Sequence, residues 1–306
     1  MIPLLIRRLL LLIPVLFAVL TIVFSFLRVV PGDPVETMLG EGAQPVDVQS
    51  MRKELLLDQP LWQQYTTYLL RALQADLGRS WSFKSPVTKI IFSRLPATLE
   101  LAVGGMLVAV LIALPLGIFA ATHPNSVWDR LATALAVMGV AVPHFWLGPL
   151  LILFFSIYLG WLPVSGRGTL AQWILPSLTL GTALAAILTR MLRSCLLEEL
   201  NSDYIRTARA KGAGENRILF RHALPNAFLP VLTLLGLQLG GLLTGAVITE
   251  TIFAWPGIGR LLIQAIFSRD YPLVQGCILV FAFLYALVNL LVDVLYGILD
   301  PRIQIK

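Results

Sequence analysis

Long apolar runs separated by shorter polar stretches divide this chain of 306 residues. A membrane-spanning helix needs about 20 mostly apolar residues, and the runs at 9–30, 97–121, 131–159, 173–192, 227–253 and 274–299 satisfy that requirement. The third run contains Pro143 and Pro149, so we expect it to kink or to begin after an interfacial turn. The pattern predicts an all-α polytopic membrane protein with six transmembrane helices.

The composition supports the same class. Hydrophobic residues make up 57% of the chain and charged residues 13%, about half the charged share of a soluble domain. This excludes a soluble enzyme and a disordered chain. The net charge is +6, but the basic residues are clustered between apolar runs, which argues against a nucleic-acid partner. Two cysteines, Cys195 and Cys277, do not make a disulfide framework.

The distribution of Lys and Arg predicts the orientation. With the N-terminus inside, most basic residues of the short loops lie on the inner side, and the short outer loops hold Arg167, Arg260 and Arg269. Arg7 and Arg8 precede a first run that is too long for a cleaved signal peptide, so we expect it to be retained. Six spans then place both termini in the cytoplasm, and a bacterial chain would lie in the inner membrane.

Three regions follow from this arrangement. Residues 1–30 form the N-terminal cytoplasmic end and the first span, 31–96 a periplasmic segment, and 97–306 a five-helix core. The periplasmic segment opens with the turn signal Pro-Gly-Asp-Pro at 31–34. Helical patterns follow at about 47–57 and 61–75.

The cytoplasmic loop of the core, 193–226, is long and basic. Ser202 is a candidate helix cap with Asp203 in the first turn, and Gly212 is a candidate stop reinforced by Gly214. A second short helix is expected at 215–223. The loop is therefore predicted to be two short helices around a glycine hinge, and the simpler alternative is an ordinary basic interfacial loop.

The spacing of Ala208, Gly212, Leu224 and Pro225 resembles the cytoplasmic signature of permease subunits of binding-protein-dependent ABC importers. Arg206, Thr207 and His222 depart from the general consensus. However, DYIRTARAKG at 203–212 is similar to the version in dipeptide, oligopeptide, nickel and glutathione permeases. The resemblance continues through strings such as LDQPLWQQY at 57–65, FAWPGIGRLL at 253–262 and NLLVDVLYGILDPRI at 289–303.

The resemblance implies a type I ABC importer permease fold that forms half of a translocation pathway. In that family the loop helix docks into a groove of a cytoplasmic ATPase. The implied partners are two ABC ATPase subunits, a second homologous permease and a periplasmic solute-binding protein, with membrane lipid around the spans. The residues implied to couple to the ATPase are Asp203, Tyr204, Arg206, Thr207, Ala208, Lys211 and Gly212.

The chain itself is expected to be non-catalytic. No Gly-x-x-x-x-Gly-Lys-Ser/Thr phosphate loop occurs in the sequence, so we expect no cofactor here and ATP with Mg²⁺ on the partner ATPases. The three histidines are isolated, which argues against a metal site. The implied cargo is a short peptide such as a dipeptide, an oligopeptide or glutathione, with a nickel chelate or another small solute as alternatives. A stand-alone secondary transporter ranks below these, and an intramembrane protease ranks last.

Several residues within the spans are candidates for the pathway or for helix packing. Glu250 either faces the pathway and meets a cationic group or is a paired rim carboxylate. Asp293 is expected to have a structural role. Gly236, Gly240, Gly241 and Gly245 give small-xxx-small pairs that allow close helix approach. Arg28, near the outer end of the first span, is expected to extend toward the lipid headgroups.

Overall fold

The structure is a computed structural model that describes residues 2–29, 35, 39, 44–54 and 56–299. At 2–9, 54, 244, 245, 293 and 295–299 the description covers the backbone alone. The turn predicted at 31–34 lies outside the described residues. Within them the chain is helical apart from turns, connecting segments and an isolated bridge between Arg79 and Pro86.

The helices are numbered here in chain order. They are α1 (Ile2–Val29), α2 (Pro45–Glu54), α3 (Leu61–Leu73), α4 (Val87–Thr122), α5 (Val127–Ala141), α6 (His144–Leu151), α7 (Leu170–Leu200), α8 (Asp203–Ala210), α9 (Glu215–Arg217), α10 (Leu224–Ile252), α11 (Ile258–Phe267) and α12 (Tyr271–Leu299). Two π-helical stretches, Ile152–Tyr158 and Ile218–Ala223, continue α6 and α9.

The predicted number of spans agrees with the structure. Five helical segments of the described chain are long and apolar enough to cross a membrane. A bent pair, Val127–Ala141 and His144–Tyr158, meets the same criterion as a unit and makes the sixth candidate span, with axes that differ by 105°. The bend falls at Pro143, which lacks the N–H that a continuous helix would need. The predicted kink in the third run is therefore confirmed.

Some helix ends differ from the sequence-based expectation. The second span begins at Val87 and not at residue 97, because the buried Val87 and Ile91 support the added turns by packing. Helix α7 runs to Leu200, beyond the expected end at 192, and it starts with a capping box formed by Thr169 and Gln172. Helices α2 and α3 overlap the helical patterns predicted at about 47–57 and 61–75, and α2 lies a few residues earlier than expected.

The chain divides into two compact units. The larger unit comprises Leu99–Trp255 and the chain from Leu287 onward. Within it α7 packs against both α5 and α10, and α6 contacts α7 and α10. Small residues allow close approach to α7: a Cβ added at Gly139 of α5 would lie 3.1 Å from Ala186 Cβ, and one added at Gly181 would lie 2.4 Å from the Gly105 carbonyl oxygen of α4.

The smaller unit comprises Ile2–Thr98 and Pro256–Ala286. Its core holds side chains from the beginning of α4, from α11 and from the beginning of α12, namely Val87, Ile91, Ile258, Leu261, Ala265, Leu273, Val274 and Cys277. Helix α11 is thus buried along one side at Ile258, Leu261 and Ala265, whereas Ile266 is exposed.

Candidate functional site

The short helix α8 lies between two long helices of the larger unit. It begins after Ser202 and ends at Ala210, followed by the C-cap residue Lys211 and by Gly212 with φ +82°. A left-handed residue after the last turn is the geometry in which glycine is favoured, so Gly212 occupies the predicted stop position. The predicted side-chain cap is wrong: the Ser202 hydroxyl donates to the Glu199 carbonyl at 2.6 Å and makes no cap bond to α8.

One side chain anchors α8 to the body of the unit. Ile205 is fully buried and packs in a cluster with Leu196 of α7, Ile218 of the π-helical stretch and Ala227 of α10. Burying an isoleucine stabilises by about 1.5–3 kcal/mol. Through Leu196 and Ala227, Ile205 therefore joins α8 to the long helices on both sides of the loop.

Tyr204 supplies a second, polar attachment. Its hydroxyl donates to the Glu199 carboxylate and accepts from Asn226 Nδ2 at 3.0 Å. Burial, followed by the hydrogen bond to Glu199, raises the pKa of the Tyr204 phenol. The phenol therefore stays a neutral donor at physiological pH and links the end of α7 to the beginning of α10.

The rest of the predicted coupling set faces away from the anchor. Asp203, Arg206, Thr207, Lys211 and Gly212 are exposed, and Ala208 is half-buried against the cluster around Ile205. Arg206 Nη1 lies 3.2 Å from Asp203 Oδ1 in an exposed pair. Such a pair contributes little to stability, so these charges remain available to a partner surface.

Two contacts that were not predicted fix the turn after α8. Arg209 donates to both carboxylate oxygens of Glu215, at 2.8 and 3.1 Å. These bonds raise the pKa of the Arg209 guanidinium. The Ala213 amide donates to the Ala208 carbonyl at 3.1 Å. The sequence could have indicated the ion pair, because Arg209 and Glu215 carry opposite charges on either side of the glycine turn.

The second half of the loop differs from its prediction. Residues 215–223 do not form a separate short helix, because α9 passes into the π-helical stretch and then directly into α10. Gly214 has φ −69° and precedes α9, so it is not a second left-handed stop. The loop therefore contains one free-standing helix, α8, and an extension of the fifth span.

The predicted pathway and packing residues lie in α10 and α12. Glu250 is fully buried, and its carbonyl accepts from the Trp255 amide at 2.8 Å. A Cβ added at Gly236 would lie 2.5 Å from Val292 Cγ2, so α10 and α12 are in close contact there. Gly240 is buried, and a Cβ at Gly241 would meet no atom nearer than 3.8 Å. The surroundings of Gly245 and the side chain of Asp293 lie outside the described residues.

Three ionic or polar contacts between distant residues were not predicted from the sequence. Arg193 forms a bidentate pair with Asp129, at 2.5 and 2.7 Å. Arg167 lies 2.6 Å from Glu100. Ser80 Oγ donates to Asp270 at 2.5 Å. Within the described residues no group of three His, Cys, Asp or Glu is placed to hold a metal ion.

Comparison with known families gives a match over most of the chain. Residues 113–305 match the family described as the inner membrane component of binding-protein-dependent transport systems, and residues 1–102 match the N-terminal family of such membrane components. The chain is 46% identical over 301 residues to a glutathione transport system permease protein of Escherichia coli, covering 98% of each chain. It is 43% identical to the dipeptide transport system permease protein of Escherichia coli K12, covering all of both chains.

Solved structures show the same fold at low sequence identity. The inward-facing MetNI methionine ABC transporter aligns with a TM-score of 0.59 at 18% identity, over 69% of this chain and 96% of that one. An amino acid ABC transporter aligns with a TM-score of 0.53 at 18% identity, over 71% of this chain and 95% of that one. The predicted ABC importer permease fold is thereby confirmed.

Proposed function

Because this chain belongs to the family of inner membrane components of binding-protein-dependent transport systems, we propose that it forms half of the pathway through which an ATP-driven importer takes up short peptides. The identity of 43% and 46% to dipeptide and glutathione permeases over almost the whole length supports the peptide cargo. A nickel chelate or another small solute is the alternative, since a separate binding protein would select the cargo.

The observation that carries the proposal is the geometry of α8. An eight-residue helix that buries Ile205 and exposes Asp203, Arg206 and Lys211 has one face fixed to the spans and one face open to a partner. A rigid element held in this way transmits a push from the partner to α7 and α10. We assign the exposed face of α8 to contact with an ATPase.

The proposed assembly contains a second homologous permease, two cytoplasmic ABC ATPases and a periplasmic solute-binding protein. ATP and Mg²⁺ would be bound by the ATPases, and this chain would carry no cofactor and no catalytic residue. The protein is a multi-pass inner membrane protein, and we assign both termini to the cytoplasm from the distribution of basic residues. In this orientation α8 lies on the ATPase side.

The transport cycle then follows from differential contacts. A loaded binding protein docks outside, and ATP-driven closure of the ATPase pair displaces α8. Since Ile205 and Tyr204 connect α8 to the ends of α7 and α10, the displacement biases the spans between inward and outward access. The cycle needs no chemistry in this chain, only two packings of its helices.

The first experiment is affinity purification of the tagged chain from native membranes, followed by mass spectrometry and reconstitution of the recovered complex in proteoliposomes. We expect two P-loop ATPase copies and a second permease. Reconstituted complexes should take up radiolabelled dialanine or glutathione only with ATP and the binding protein. A chain that purifies alone and drives uptake without ATP would contradict the proposal and indicate a secondary transporter.

A charge reversal tests α8 itself. Arg206→Glu is expected to abolish the stimulation of ATP hydrolysis by the loaded binding protein, while the chain still inserts and assembles its fold. Lys89→Glu, an equal reversal at an exposed position of α4, is the control and should retain stimulation. Full coupling in Arg206→Glu and in Gly212→Pro would show that α8 is not the coupling element.

A further inference from the structure

The smaller unit contains a cavity of about 590 Å³ that the transport mechanism above does not use. It lies among the end of α1, helix α3, the segment around Ser80 and the beginning of α12. Its volume falls within the range of about 300–1,000 Å³ that is usual for small-molecule sites. Within the described part of the chain its lining contains one acidic residue, Asp76, and four basic residues, Arg28, Arg71, Arg79 and Lys84.

Arg28 is held in this cavity with part of its donor capacity unused. Its Nε and Nη2 donate to Gln64 Oε1 at 3.3 and 2.9 Å, and its Cζ lies 3.7 Å from the centroid of the Phe24 ring. Nη1 is buried and has no hydrogen-bond partner among the residues that the structure describes. The expected extension of Arg28 toward lipid headgroups is therefore replaced by a fixed position against α3.

Gln275 supplies a second donor to the same cavity. Its side chain is 8% exposed, and its Nε2 is buried without a hydrogen-bond partner in the described chain. A buried donor left without a partner is costly, so such groups are rare in folded proteins unless a ligand or water completes them. Both residues line the cavity, so a rotation of either side chain would bring its buried, unpaired donor to the acceptor atoms of a ligand held there.

The other lining residues indicate which kind of ligand the cavity would bind. Asp76 is engaged locally, with Oδ1 accepting from the Gly78 amide at 2.9 Å, so it offsets the four cations only in part. Burial raises the pKa of Tyr68, which keeps this phenol neutral and adds no negative charge. Aromatic rings of Trp81 and Tyr271, with centroids 5.3 Å apart, give the cavity an apolar side.

We propose that this cavity binds the carboxylate of a small amphipathic molecule, toward which the side chains of Arg28 and Gln275 turn their unpaired donors Nη1 and Nε2. One carboxylate has two oxygens, one for each donor, and a hydrogen bond from a guanidinium to a carboxylate is charge-assisted and therefore strong. Identifying the molecule as a short peptide rests on the proposed function, because the C-terminal carboxylate of such a cargo has this chemistry. The cavity would then be a peptide subsite separate from the exposed face of α8.

The test uses the full chain in nanodiscs of phosphatidylcholine without any ATPase subunit. Binding of radiolabelled dialanine is measured, with unlabelled dialanine and dialanine amide as competitors. We expect the amide to compete at least about tenfold more weakly, since it lacks the charge that the cations recognise. We expect Gln275→Leu to weaken dialanine binding by about tenfold, through loss of a bond to a charged group.

A stability readout separates binding from folding. Gln275→Leu removes a donor that has no partner in the described chain, so its melting temperature should equal or exceed that of the parent. Gln63→Leu is the control for the substitution itself, because Gln63 is a partly buried glutamine of the smaller unit that does not line the cavity. That variant should bind dialanine as the parent does.

Three results would overturn the proposal. They are equal competition by dialanine and its amide, unchanged dialanine binding in Gln275→Leu, and displacement by phosphatidylglycerol that is itself sensitive to Gln275→Leu. The last result would make the cavity a lipid phosphate site. Since the assay contains no ATPase, it can fail while ATP-driven uptake persists, and it can succeed when no ATPase co-purifies.

Discussion

Arg193 of α7 and Asp129 of α5 form a bidentate ion pair inside the larger unit, with Nε and Nη2 donating to the two carboxylate oxygens at 2.5 and 2.7 Å. Asp129 is 4% exposed and also accepts from the Asn125 amide at 3.0 Å, whereas the Arg193 side chain is 30% exposed. The pair joins the first half of the bent span to the helix against which it packs. Its removal should loosen α5 from α7.

We therefore predict that Arg193→Ala lowers the free energy of unfolding by about 3 kcal/mol, because it leaves the Asp129 carboxylate buried without its main partner. Unfolding by SDS in mixed micelles provides the measurement. Arg190→Ala, at an exposed position of the same helix, should change stability by no more than about 0.5 kcal/mol. Equal effects of the two substitutions would show that the pair contributes nothing.

Removing the anchor of α8 should uncouple the helix without disturbing the spans. Ile205→Ala deletes a fully buried side chain, and such truncations cost about 2–5 kcal/mol. We expect amide exchange across 203–210 to accelerate while the middle of α7 stays protected. Arg206→Ala, which alters an exposed pair, is the control and should leave exchange unchanged; slow exchange in Ile205→Ala would contradict the anchoring role.

Two neighbouring glycines of α10 should respond in opposite ways. Gly236→Ala places a methyl group 2.5 Å from Val292 Cγ2, and overpacking of this kind costs about 1–3 kcal/mol. Gly241→Ala meets no atom nearer than 3.8 Å and should stabilise the helix slightly. Thermal denaturation in detergent distinguishes them, and Val292→Ala should partly rescue Gly236→Ala if the contact with α12 is the cause.

A polar contact at the beginning of α12 should be important for the smaller unit. The fully buried Asp270 accepts from Ser80 Oγ at 2.5 Å, from the Ser82 amide at 3.0 Å and from the Leu273 amide at 3.2 Å. Hydrogen bonds to a charged group contribute about 1.5–3 kcal/mol each. We predict that Asp270→Ala destabilises the protein far more than Asp270→Asn, which keeps one oxygen for the helix cap.

Thermal unfolding of Ser80→Ala and of the double variant completes a double-mutant cycle for this contact. If Ser80 and Asp270 act together, the effects of the two single substitutions should not add. Strictly additive losses would indicate that Asp270 acts through the cap alone.

Sequence reasoning identified the spans because hydrophobic length is a local property. Pro143 also marked the bend, since proline lacks the backbone N–H of a continuous helix whatever the tertiary surroundings are. The limits of helices were less well predicted: the start of α4 at Val87 depends on burial of Val87 and Ile91 against α11 and α12, and no local pattern reports that burial.

The candidate site shows the same division. The position of α8 and its stop at Gly212 followed from the residues, and the family resemblance supplied its proposed partner. Which residue anchors it did not follow, because Ile205 is recognised only by its contacts with Leu196 and Ile218. Ser202 does occupy the predicted N-cap position of α8, but its hydroxyl donates to the Glu199 carbonyl and makes no cap bond.

The sequence by itself determined that this chain is a polytopic helical membrane protein with an importer-like cytoplasmic loop, since composition, periodicity and short motifs are written along the chain. Tertiary structure alone decided that Arg193 meets Asp129 across 64 residues, that Gly236 is pressed against Val292, and that Arg28 and Gln275 share a cavity. These relationships depend on how helices rotate and pack. That packing depends on the volumes and polar groups of side chains from distant segments, so no single segment of the sequence encodes it.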